Sequence, residues 1–572
     1  MGRWTWIWST WLVLATLVMA CAAPAPAGGA SARSEASSTG SQPTTKRIVA
    51  AIRGDPHTLG DAINAAGGGR VAGVQEVEQL LNSGLGLIDI QGQNRPLLAE
   101  QIPSLENGLW KLLPDGRMET TWKLRPNVVW HDGTAFTAAD LVFSTRVASD
   151  KNLTIAQDVA YAFVDAAEAP DPLTFVVTWK GPFIEADTLM TRTDRSRVLP
   201  MPRHILEPAY TEDRANVLQH AYWTQEFIGT GPYKLRELVP GSHMVLRAND
   251  AFVLGRPRLD EIEVKFLWDT NVIVANVLSG AVELTLGPGL SVEQAILVRE
   301  QWREGRVEAP LETLTALWPQ FINPDPPVVA DVRFRRAMLH ALDRQQIVDT
   351  FLGGITPVAH SFVAPDQPEF AEINPYVAKY DYDPRRATEL IESLGYTRGA
   401  DGLFRTAGGQ RLQVEVRTTA HELREKLLFV LADYWGRVGA TLDPVIIPRQ
   451  RAADREYRAT SLSFDFRFNP PEVTRYHSSQ VPLPENNYRG NNSARYRNAE
   501  LDALLDRYIV TIPKQERTQL LAQITQHMTE QLVVVPLFHD AEPVLINQRV
   551  LNAGAKKGDA LQGWNVQEWD VR

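Results

Sequence analysis

The sequence predicts a mixed α/β protein divided into two or three lobes. Strand-like runs such as Thr174–Trp179, Glu261–Phe266 and Leu412–Val416 show two-residue alternation or an excess of β-branched residues. Helix-like runs with clear start and stop residues lie irregularly among them, and no segment repeats at a fixed period. A chain of 572 residues is too long for a single hydrophobic core. We therefore expect mixed lobes rather than a barrel, a helical bundle or a solenoid.

The N-terminus has the features of a bacterial lipoprotein signal. An apolar run from Trp4 to Ala20 follows a short basic start and has the length of a secretory signal rather than of a membrane span. It ends in Leu17–Cys21, which resembles a lipobox, and Cys21 is the only cysteine. Residues 1–20 are therefore predicted to be a lipoprotein signal peptide, with Cys21 lipidated by enough acyl chains for stable anchoring. The alternative is a signal anchor, or an ordinary secretory peptide with an incidental cysteine.

The next segment, residues 21–45, is predicted to be a flexible tether. It is rich in Ala, Pro, Gly, Ser and Thr and offers nothing that could build a core. The formal net charge of the whole chain is −10, and removal of Arg3 with the signal peptide makes it −11. This mildly acidic balance, without a basic cluster, argues against nucleic acid as a partner. The single cysteine excludes a disulfide framework and a cysteine zinc cluster.

Three helices carry start and stop residues at the expected spacing. Thr137 begins the first, with an acid three residues on. Asp343 begins the second in the same manner, and the glycine pair that starts at Gly353 ends it. Asp383, followed by a proline that fits the first turn, begins the third. Gly395 is expected to end that helix in the left-handed conformation.

Catalytic motifs are sparse. His131, Asp132 and Gly133 are interpreted as turn residues between a hairpin and a helix rather than as catalytic or metal-binding groups. The chain contains no nucleophile elbow, no His-Glu-x-x-His and no phosphate-binding loop. His421 and Glu422 come nearest to a zinc motif but lack the second histidine. We expect no enzyme activity, no cofactor and no metal, and a secreted hydrolase stays as the less favoured alternative.

A series of short motifs runs in order along the chain: Pro96–Glu100, Thr121–Pro126, His131–Asp140, Gly229–Lys234, Leu246–Asn249, Leu278–Glu283, Asp331–Ala337, Ala341–Arg344, Tyr382–Pro384, Tyr496–Asp502 and Val535–Phe538. Together they resemble the signature of bacterial family 5 extracellular solute-binding proteins, the oligopeptide-, dipeptide- and nickel-binding components of ABC importers. Each motif alone is weak, but their order is specific, and the resemblance covers nearly all of the mature chain.

The resemblance implies a periplasmic-binding-protein-like type II (cluster C) fold, with two lobes around a ligand cleft plus an extra lobe. Carried over, lobe I comprises residues 46–85, 200–308 and 536–572, the extra lobe II comprises 86–199, and lobe III comprises 309–535. The chain then crosses between lobes I and III near residues 308 and 535. Ligand contacts to both lobes would favour the closed form, which the permease recognises.

The segment Ser461–Pro471 departs from the pattern of the peptide-binding members. These place an acid a few residues before a proline, where it pairs with the α-amine of the peptide. Here that place falls on Phe466 or Arg467, depending on which proline is aligned, and Asp465 is out of register. An ordinary free-amine anchor is therefore not expected. Arg467 is a candidate partner for an anionic group, or else a solvated arginine at a strand end.

Further cleft candidates follow from the geometry of the family. Gly69, Arg70 and Val71 belong to a glycine-rich loop that corresponds to backbone beside the ligand, where bare amide and carbonyl groups bond an extended ligand. The alternative is a mobile surface loop. Three residues on the strand entering lobe III are also candidates, although an aromatic residue in a strand is more often part of the core: Trp318, Phe321 and Asn323.

These observations predict a lipid-anchored, extracytoplasmic substrate-binding protein of an ABC importer. It would capture a peptide-like or other small solute and deliver it to a permease with cytoplasmic ATPases. We expect a monomer whose only contact with the membrane, apart from the permease, is its lipid anchor. A sensor lipoprotein, or a carrier of nickel or another solute, is the alternative function.

Overall fold

A computed structural model describes residues 45–66, 71–155, 158–193, 198–451, 454–469 and 472–572. The predicted signal peptide, Cys21, the tether up to residue 44, Gly69 and Arg70 lie outside these residues. Among the described helices, none combines the length and the apolar character needed to cross a bilayer.

Strands and helices alternate irregularly, which confirms the predicted mixed α/β class. The strands are β1 (Arg47–Ile52), β2 (Gly86–Ile88), β3 (Asn94–Pro96), β4 (Trp110–Leu112), β5 (Met118–Lys123), β6 (Val164–Asp171), β7 (Thr174–Trp179), β8 (Tyr233–Val239), β9 (His243–Ala248), β10 (Glu261–Phe266), β11 (Leu284–Thr285), β12 (Gly305–Glu308), β13 (Leu311–Pro319), β14 (Thr397–Arg398), β15 (Phe404–Arg405), β16 (Gln413–Thr419), β17 (Thr441–Ile447), β18 (Phe464–Asn469), β19 (Val535–Ala541), β20 (Val544–Asn547), β21 (Val550–Leu551) and β22 (Asp570–Val571). The helices are α1 (Asp61–Ala66), α2 (Val74–Leu81), α3 (Ala138–Ala148), α4 (Ala160–Phe163), α5 (Arg203–Glu212), α6 (Thr270–Leu278), α7 (Val292–Gln301), α8 (Val332–His340), α9 (Arg344–Leu352), α10 (Phe370–Ile373), α11 (Pro384–Ser393), α12 (Glu422–Arg437), α13 (Arg455–Ala459), α14 (Ala499–Val510) and α15 (Lys514–Glu530).

The three predicted helix starts are confirmed as α3, α9 and α11. Thr137 forms a reciprocal capping box with the acid three residues on. The carboxylates of Asp343 and Asp383 each accept from the backbone amide three residues ahead. Gly353 and Gly395 follow the second and third helices with positive φ, as the left-handed C-terminal position requires.

A seven-stranded sheet is assembled from three separate parts of the chain, in the order β12-β20-β11-β1-β10-β9-β8. Its central strand, β1, is parallel to β10 and β11, and both of its faces are covered. Ile48, Ala50 and Ile52 face one core cluster while Ala51 faces another. A strand buried on both faces reads as a continuous apolar run, as β1 does here.

A four-stranded antiparallel sheet has the order β4-β5-β7-β6. In the sequence, its strands come after β1 and before β8, which both belong to the seven-stranded sheet. Alternate residues of β5, Trp122 among them, are buried, as expected of a strand that packs one face on a core. Trp122, Trp130 and Trp179 are fully buried. They belong to the same core cluster as Ile48 of β1, so this sheet shares a continuous core with the seven-stranded sheet.

A five-stranded mixed sheet, β17-β16-β18-β13-β19, forms the third layer. Leu317 of β13 lies opposite Phe466 of β18, and both pack in the core cluster that includes Leu428 and Trp435 of α12. The other face carries Trp318 in a second cluster with residues of α14 and α15. The side chains of β13 therefore divide between two apolar layers.

Two short connections join the five-stranded and seven-stranded sheets. The chain passes from β12 to β13 through residues 309–310, and from β19 back to β20 through residues 542–543. Because β19 begins at Val535 and pairs with β13, its residues belong to the five-stranded sheet. The lobe boundaries given above stay a prediction.

Candidate functional site

The C-terminal segment braces the two connections between the sheets. Lys556 Nζ is ion-paired with Glu312 of β13 and lies 3.7 Å from an oxygen of Glu542, while its side chain is only 9% exposed. The amide of Ala555 donates to Glu308 Oε2 over 2.7 Å. Carboxylates at the end of β12, at the start of β13 and after β19 therefore converge on one segment.

Asp465 and Arg467 lie on one face of β18 and form an ion pair. Asp465 is 2% exposed, so its carboxylate is nearly enclosed. Arg467 also donates to Ser493 Oγ and to the carbonyl of Arg458, each over 3.0 Å. The arginine that the sequence singled out as a partner for an anion therefore already has an internal carboxylate.

Phe466 lies on the opposite face of β18 and is fully buried in the core cluster under α12. Adjacent residues on a strand point to opposite faces, so the side chains of Phe466 and Arg467 lie on opposite faces of β18. In this conformation the side chain of Phe466 has no surface left for a ligand.

The three candidates from the β13 region also separate. Trp318 is fully buried and stacks on Tyr476, with ring centroids 5.7 Å apart. Phe321 is half-buried, and the guanidinium of Arg335 lies 4.6 Å from the centre of its ring. Asn323 is exposed and has a φ of 52°. Of the three, only Asn323 offers a largely free polar side chain.

Of the three candidates in the predicted glycine-rich loop, Val71 is the one that the structure describes, and it is buried. It packs against the chain after β1: a Cβ atom on Gly54 would lie 2.8 Å from Val71 and 3.6 Å from the ring of Trp268. Gly54 has a φ of 125°, so both its conformation and its space require glycine. Trp268 is 65% exposed beside this contact. No sequence pattern singled out Trp268, since a lone tryptophan after a strand usually belongs to the core.

Two arginines that the sequence analysis did not select, Arg424 and Arg458, surround the Asp465–Arg467 pair. The guanidinium of Arg424 lies 4.5 Å from the centre of the Phe468 ring. Burial lowers the pKa of Arg424, and Asp465 opposes that shift. Burial likewise lowers the pKa of Arg458, with Arg467 adding to the effect. No sequence signal could have identified the cluster, because it joins α12, α13 and β18.

Asp540 lies near both Arg424 and Glu293, a residue from the part of the chain that builds the seven-stranded sheet. It lies in β19, and burial raises its pKa to about 6. The charges that act on it come from Glu293 in the first turn of α7, Arg424 of α12 and Glu312 of β13. Because α7 belongs to the part of the chain that builds the seven-stranded sheet, Arg424 lies close to the boundary between the two sheets.

Away from the connections, other parts of the molecule touch in this conformation. Gly92, after β2, packs against Pro368 in the segment before α10. Burial raises the pKa of Asp187 to about 6, and the nearby cations of Arg517 and Lys514 oppose that shift. Burial raises the pKa of Asp366, and the nearby cations of Lys557 and Lys556 in the C-terminal segment oppose that shift. The segments around β2 and Asp187 therefore lie against the segment before α10 and the start of α15.

Within the described residues, no three or more His, Cys, Asp or Glu side chains come close enough together to hold a metal ion. The site offers guanidinium groups, backbone groups and aromatic rings. Groups of these kinds can bind and orient a solute through charge, hydrogen bonds and stacking.

The family model described as bacterial extracellular solute-binding proteins, family 5 Middle, matches residues 96–480. Among curated relatives, the oligopeptide-binding protein AppA of Bacillus subtilis is 24% identical over 512 residues, covering 86% of this chain and 87% of that protein. Heme-binding protein A of Haemophilus influenzae is 23% identical over 566 residues, covering 94% and 95%.

Solved structures match the fold. AppA of Bacillus subtilis in complex with a nonapeptide has a TM-score of 0.65 at 20% identity, over 92% of this chain and 99% of that chain. NikA from Brucella suis in complex with Fe(III)-EDTA has a TM-score of 0.70 at 20% identity, over 92% and 100%. These likenesses support the predicted periplasmic-binding-protein fold. Since the family model matches more than half of the chain, this protein belongs to the bacterial extracellular solute-binding proteins of family 5.

Proposed function

We propose that this protein is the substrate-binding lipoprotein of an ABC importer. It captures a peptide-like or other small solute between the seven-stranded and five-stranded sheets and delivers it to a permease with cytoplasmic ATPases. The observation that carries the proposal is the pair of short connections, residues 309–310 and 542–543, as the covalent links between these two sheets. A molecule built in this way can open and close like a clamp.

The three sheets support the division into lobes. The seven-stranded sheet is the centre of lobe I, the four-stranded sheet is the centre of lobe II, and the five-stranded sheet is the centre of lobe III. The pairing of β19 favours a second crossing near residue 542 rather than near 535. Lobes I and II share one continuous core and move together. Lobe III moves relative to them, because only two short covalent connections link the five-stranded sheet to the seven-stranded sheet.

Closure follows from the energetics of a two-sided site. A solute that contacts both lobe I and lobe III binds the closed form more tightly than the open form, and its differential affinity shifts the population. The permease then recognises the closed form. In this role the protein is a binding component and not an enzyme, in keeping with relatives whose names describe binding of oligopeptide and heme.

Peptide-like solutes are the first candidates, because AppA, one of the relatives, is named for oligopeptide binding and was solved with a nonapeptide. Solved neighbours with Ni(L-His) and with Fe(III)-EDTA extend the range of solutes that this fold accommodates. Cys21 anchors the protein to the extracytoplasmic side of the membrane through its lipid. The mature protein is a monomer.

Native mass spectrometry of the protein as purified will identify the solute that copurifies. Stripped protein should regain that solute in calorimetry, and its radius of gyration should fall in small-angle scattering as the solute saturates it. The melting temperature should rise with solute concentration, by mass action. An unchanged radius of gyration at calorimetric saturation would contradict the clamp.

A further inference from the structure

We infer that Trp268 contacts the solute, and that its exposed indole ring is a stacking platform for an aromatic side chain of a peptide-like solute. This inference rests on the proposed solute-binding function and adds the chemistry of one group of the solute. It is drawn from the position of Trp268 in the seven-stranded sheet, the packing of its ring and the exposure of that ring.

Trp268 lies at the carboxyl ends of the parallel strands. β1 is parallel to β10 on one side and to β11 on the other, and Ile52 at the end of β1 pairs with Phe266 at the end of β10. The amide of Leu267 donates to the carbonyl of Ile52 over 3.1 Å, so Trp268 comes directly after the last bond between these strands. Ligands of open α/β sheets bind outside the carboxyl ends of the strands. Trp268 is therefore at the end of the sheet where a solute is expected.

This end of the sheet borders the part of the chain that builds the five-stranded sheet. Gln294 Nε2 donates to Thr270 Oγ1 over 2.7 Å, which joins the start of α7 to the start of α6, two residues after Trp268. On the same helix as Gln294, Ile296 packs against the end of α9, where a Cβ atom on Gly353 would lie 2.7 Å from Ile296 Cδ1. Because α9 comes after β13 in the chain, α7 lies between Trp268 and lobe III of the proposed clamp.

Close packing holds the indole ring of Trp268. The edge of its six-membered ring lies beside Gly54, where a Cβ atom would come 3.6 Å from the indole and 2.8 Å from Val71. The next residue, Asp269, caps α6 by accepting from the amide of Asn271 over 2.7 Å, which fixes the backbone beside the indole. A ring that is already positioned loses little conformational entropy when a solute stacks on it.

Most of the indole is nevertheless open to solvent. Trp268 is 65% exposed, and it is the most exposed of the tryptophans that the structure describes. Tryptophan has a large apolar surface, and aromatic pairs gain free energy from stacked or edge-to-face contact in addition to the burial of area. The exposed ring therefore favours an aromatic group of the solute over an aliphatic group of similar size.

Isothermal titration calorimetry of the full-length protein purified in detergent tests this assignment. The probes are N-acetylated trialanine and three analogues that carry phenylalanine at the first, second or third position. At least one phenylalanine analogue should bind wild type about fivefold or more tightly than trialanine. Trp268→Ala should reduce this advantage to less than about twofold, whereas Trp268→Phe keeps a ring and should retain most of it.

Phe429→Ala is the matched control. Phe429 is an aromatic residue of α12 that is 70% exposed, so this variant removes a ring of comparable exposure from another part of the chain. It should leave the advantage of the phenylalanine analogue unchanged. Equal losses in Trp268→Ala and Phe429→Ala would contradict a local platform. The melting temperature of Trp268→Ala should stay within about 3 °C of wild type, because the side chain is largely exposed.

Iodide quenching of fluorescence reads out Trp268 directly. The quenching that Trp268→Phe removes from wild type belongs to this residue, and the bound phenylalanine analogue should reduce it. Unchanged quenching at calorimetric saturation would overturn the assignment. So would a phenylalanine advantage that survives in Trp268→Ala, or the absence of any such advantage in wild type. If the solute that copurifies nonetheless compacts the protein in scattering, the proposed clamp function stands without this contact.

Discussion

Gly92, between β2 and β3, and Pro368, in the segment before α10, pack against each other. A Cβ atom on Gly92 would overlap Pro368 Cγ, and Gly92 has a φ of +71°. Gly92→Ala should therefore push the two surfaces apart and shift the protein toward an open form. At saturating solute, we expect this variant to have a larger radius of gyration than wild type in small-angle scattering. Its affinity for the solute should be several-fold weaker in calorimetry.

Gly108→Ala is the control for this variant. Gly108 has the same φ of +71°, but nothing lies within 4 Å of its Cβ position. Both variants should lose about 1 kcal/mol of stability through backbone strain. Only Gly92→Ala should change the radius of gyration, and an equal change in both would refute the contact as a determinant of closure.

His539 of β19 is expected to make the protein sensitive to acid. It is 3% exposed, and burial lowers its pKa from 6.5 to about 4. Between these pH values the unfolded chain binds more protons at this site than the folded protein does. The stabilising contribution of His539 is therefore fully present above pH 6.5 and is lost as the pH falls toward 4. The loss amounts to about 2–3 kcal/mol in the free energy of unfolding.

The measurement is urea unfolding at pH 7.0, 5.5 and 4.5 for wild type and His539→Gln. The variant should lose less stability over this range by about 2 kcal/mol. Asp187 and Asp540, whose pKa values burial raises to about 6, act in the opposite direction, but they do so equally in both proteins. His57→Gln removes an exposed histidine and should follow wild type. Parallel pH profiles for His539→Gln and wild type would show that His539 is not the acid-sensitive group.

A preference for peptides without a free α-amine follows from β18. The position of the acid in the peptide-binding members falls on Phe466, which is buried in the core, or on Arg467, which is a cation. Asp465 is already ion-paired with Arg467. A buried ammonium without a partner costs about 3–5 kcal/mol, so free dipeptides should bind weakly there.

Calorimetry with matched free and N-acetylated tripeptides tests this expectation. Acetylation should leave affinity unchanged or improve it. Micromolar binding of free peptides that acetylation abolishes, with Arg467→Ala neutral, would restore an ordinary free-amine anchor.

Anchoring should depend on Cys21 alone. Cys21→Ser removes the only thiol that a lipid can modify, so the protein should move from the membrane fraction to the aqueous fraction. Its melting temperature should be unchanged, because the core clusters lie within residues 45–572. Mass spectrometry of wild-type protein from membranes should detect the acyl chains. A wild-type mature form without lipid would contradict the anchor.

Local structure was largely predictable from the sequence, because caps and alternation act over a few residues. Asp383 accepts from the amide three residues ahead, and this geometry is the same in any fold. The alternation of β5 around Trp122 likewise needs only the period of a strand. Both the helix cap and the strand alternation depend only on residues within the segment itself.

The candidate site was less predictable, since its groups meet only after three chain segments have folded. Arg424 and Arg458 approach Asp465 from two different helices. Trp318 carried the right residue type for a cleft, but it stacks on Tyr476 in the core. The face on which a strand residue lies depends on register, and register is fixed by partners far along the chain.

The brace formed by Lys556 with Glu312 and Glu542 has a mechanical consequence. In the proposed clamp, the stiffness of the hinge would depend in part on this salt link, which can be altered without any change to the residues that contact the solute. Weakening this link makes bending easier and leaves the recognising surface as it was. In the proposed clamp, the residues that contact the solute and the residues that set how readily it closes would therefore be separate.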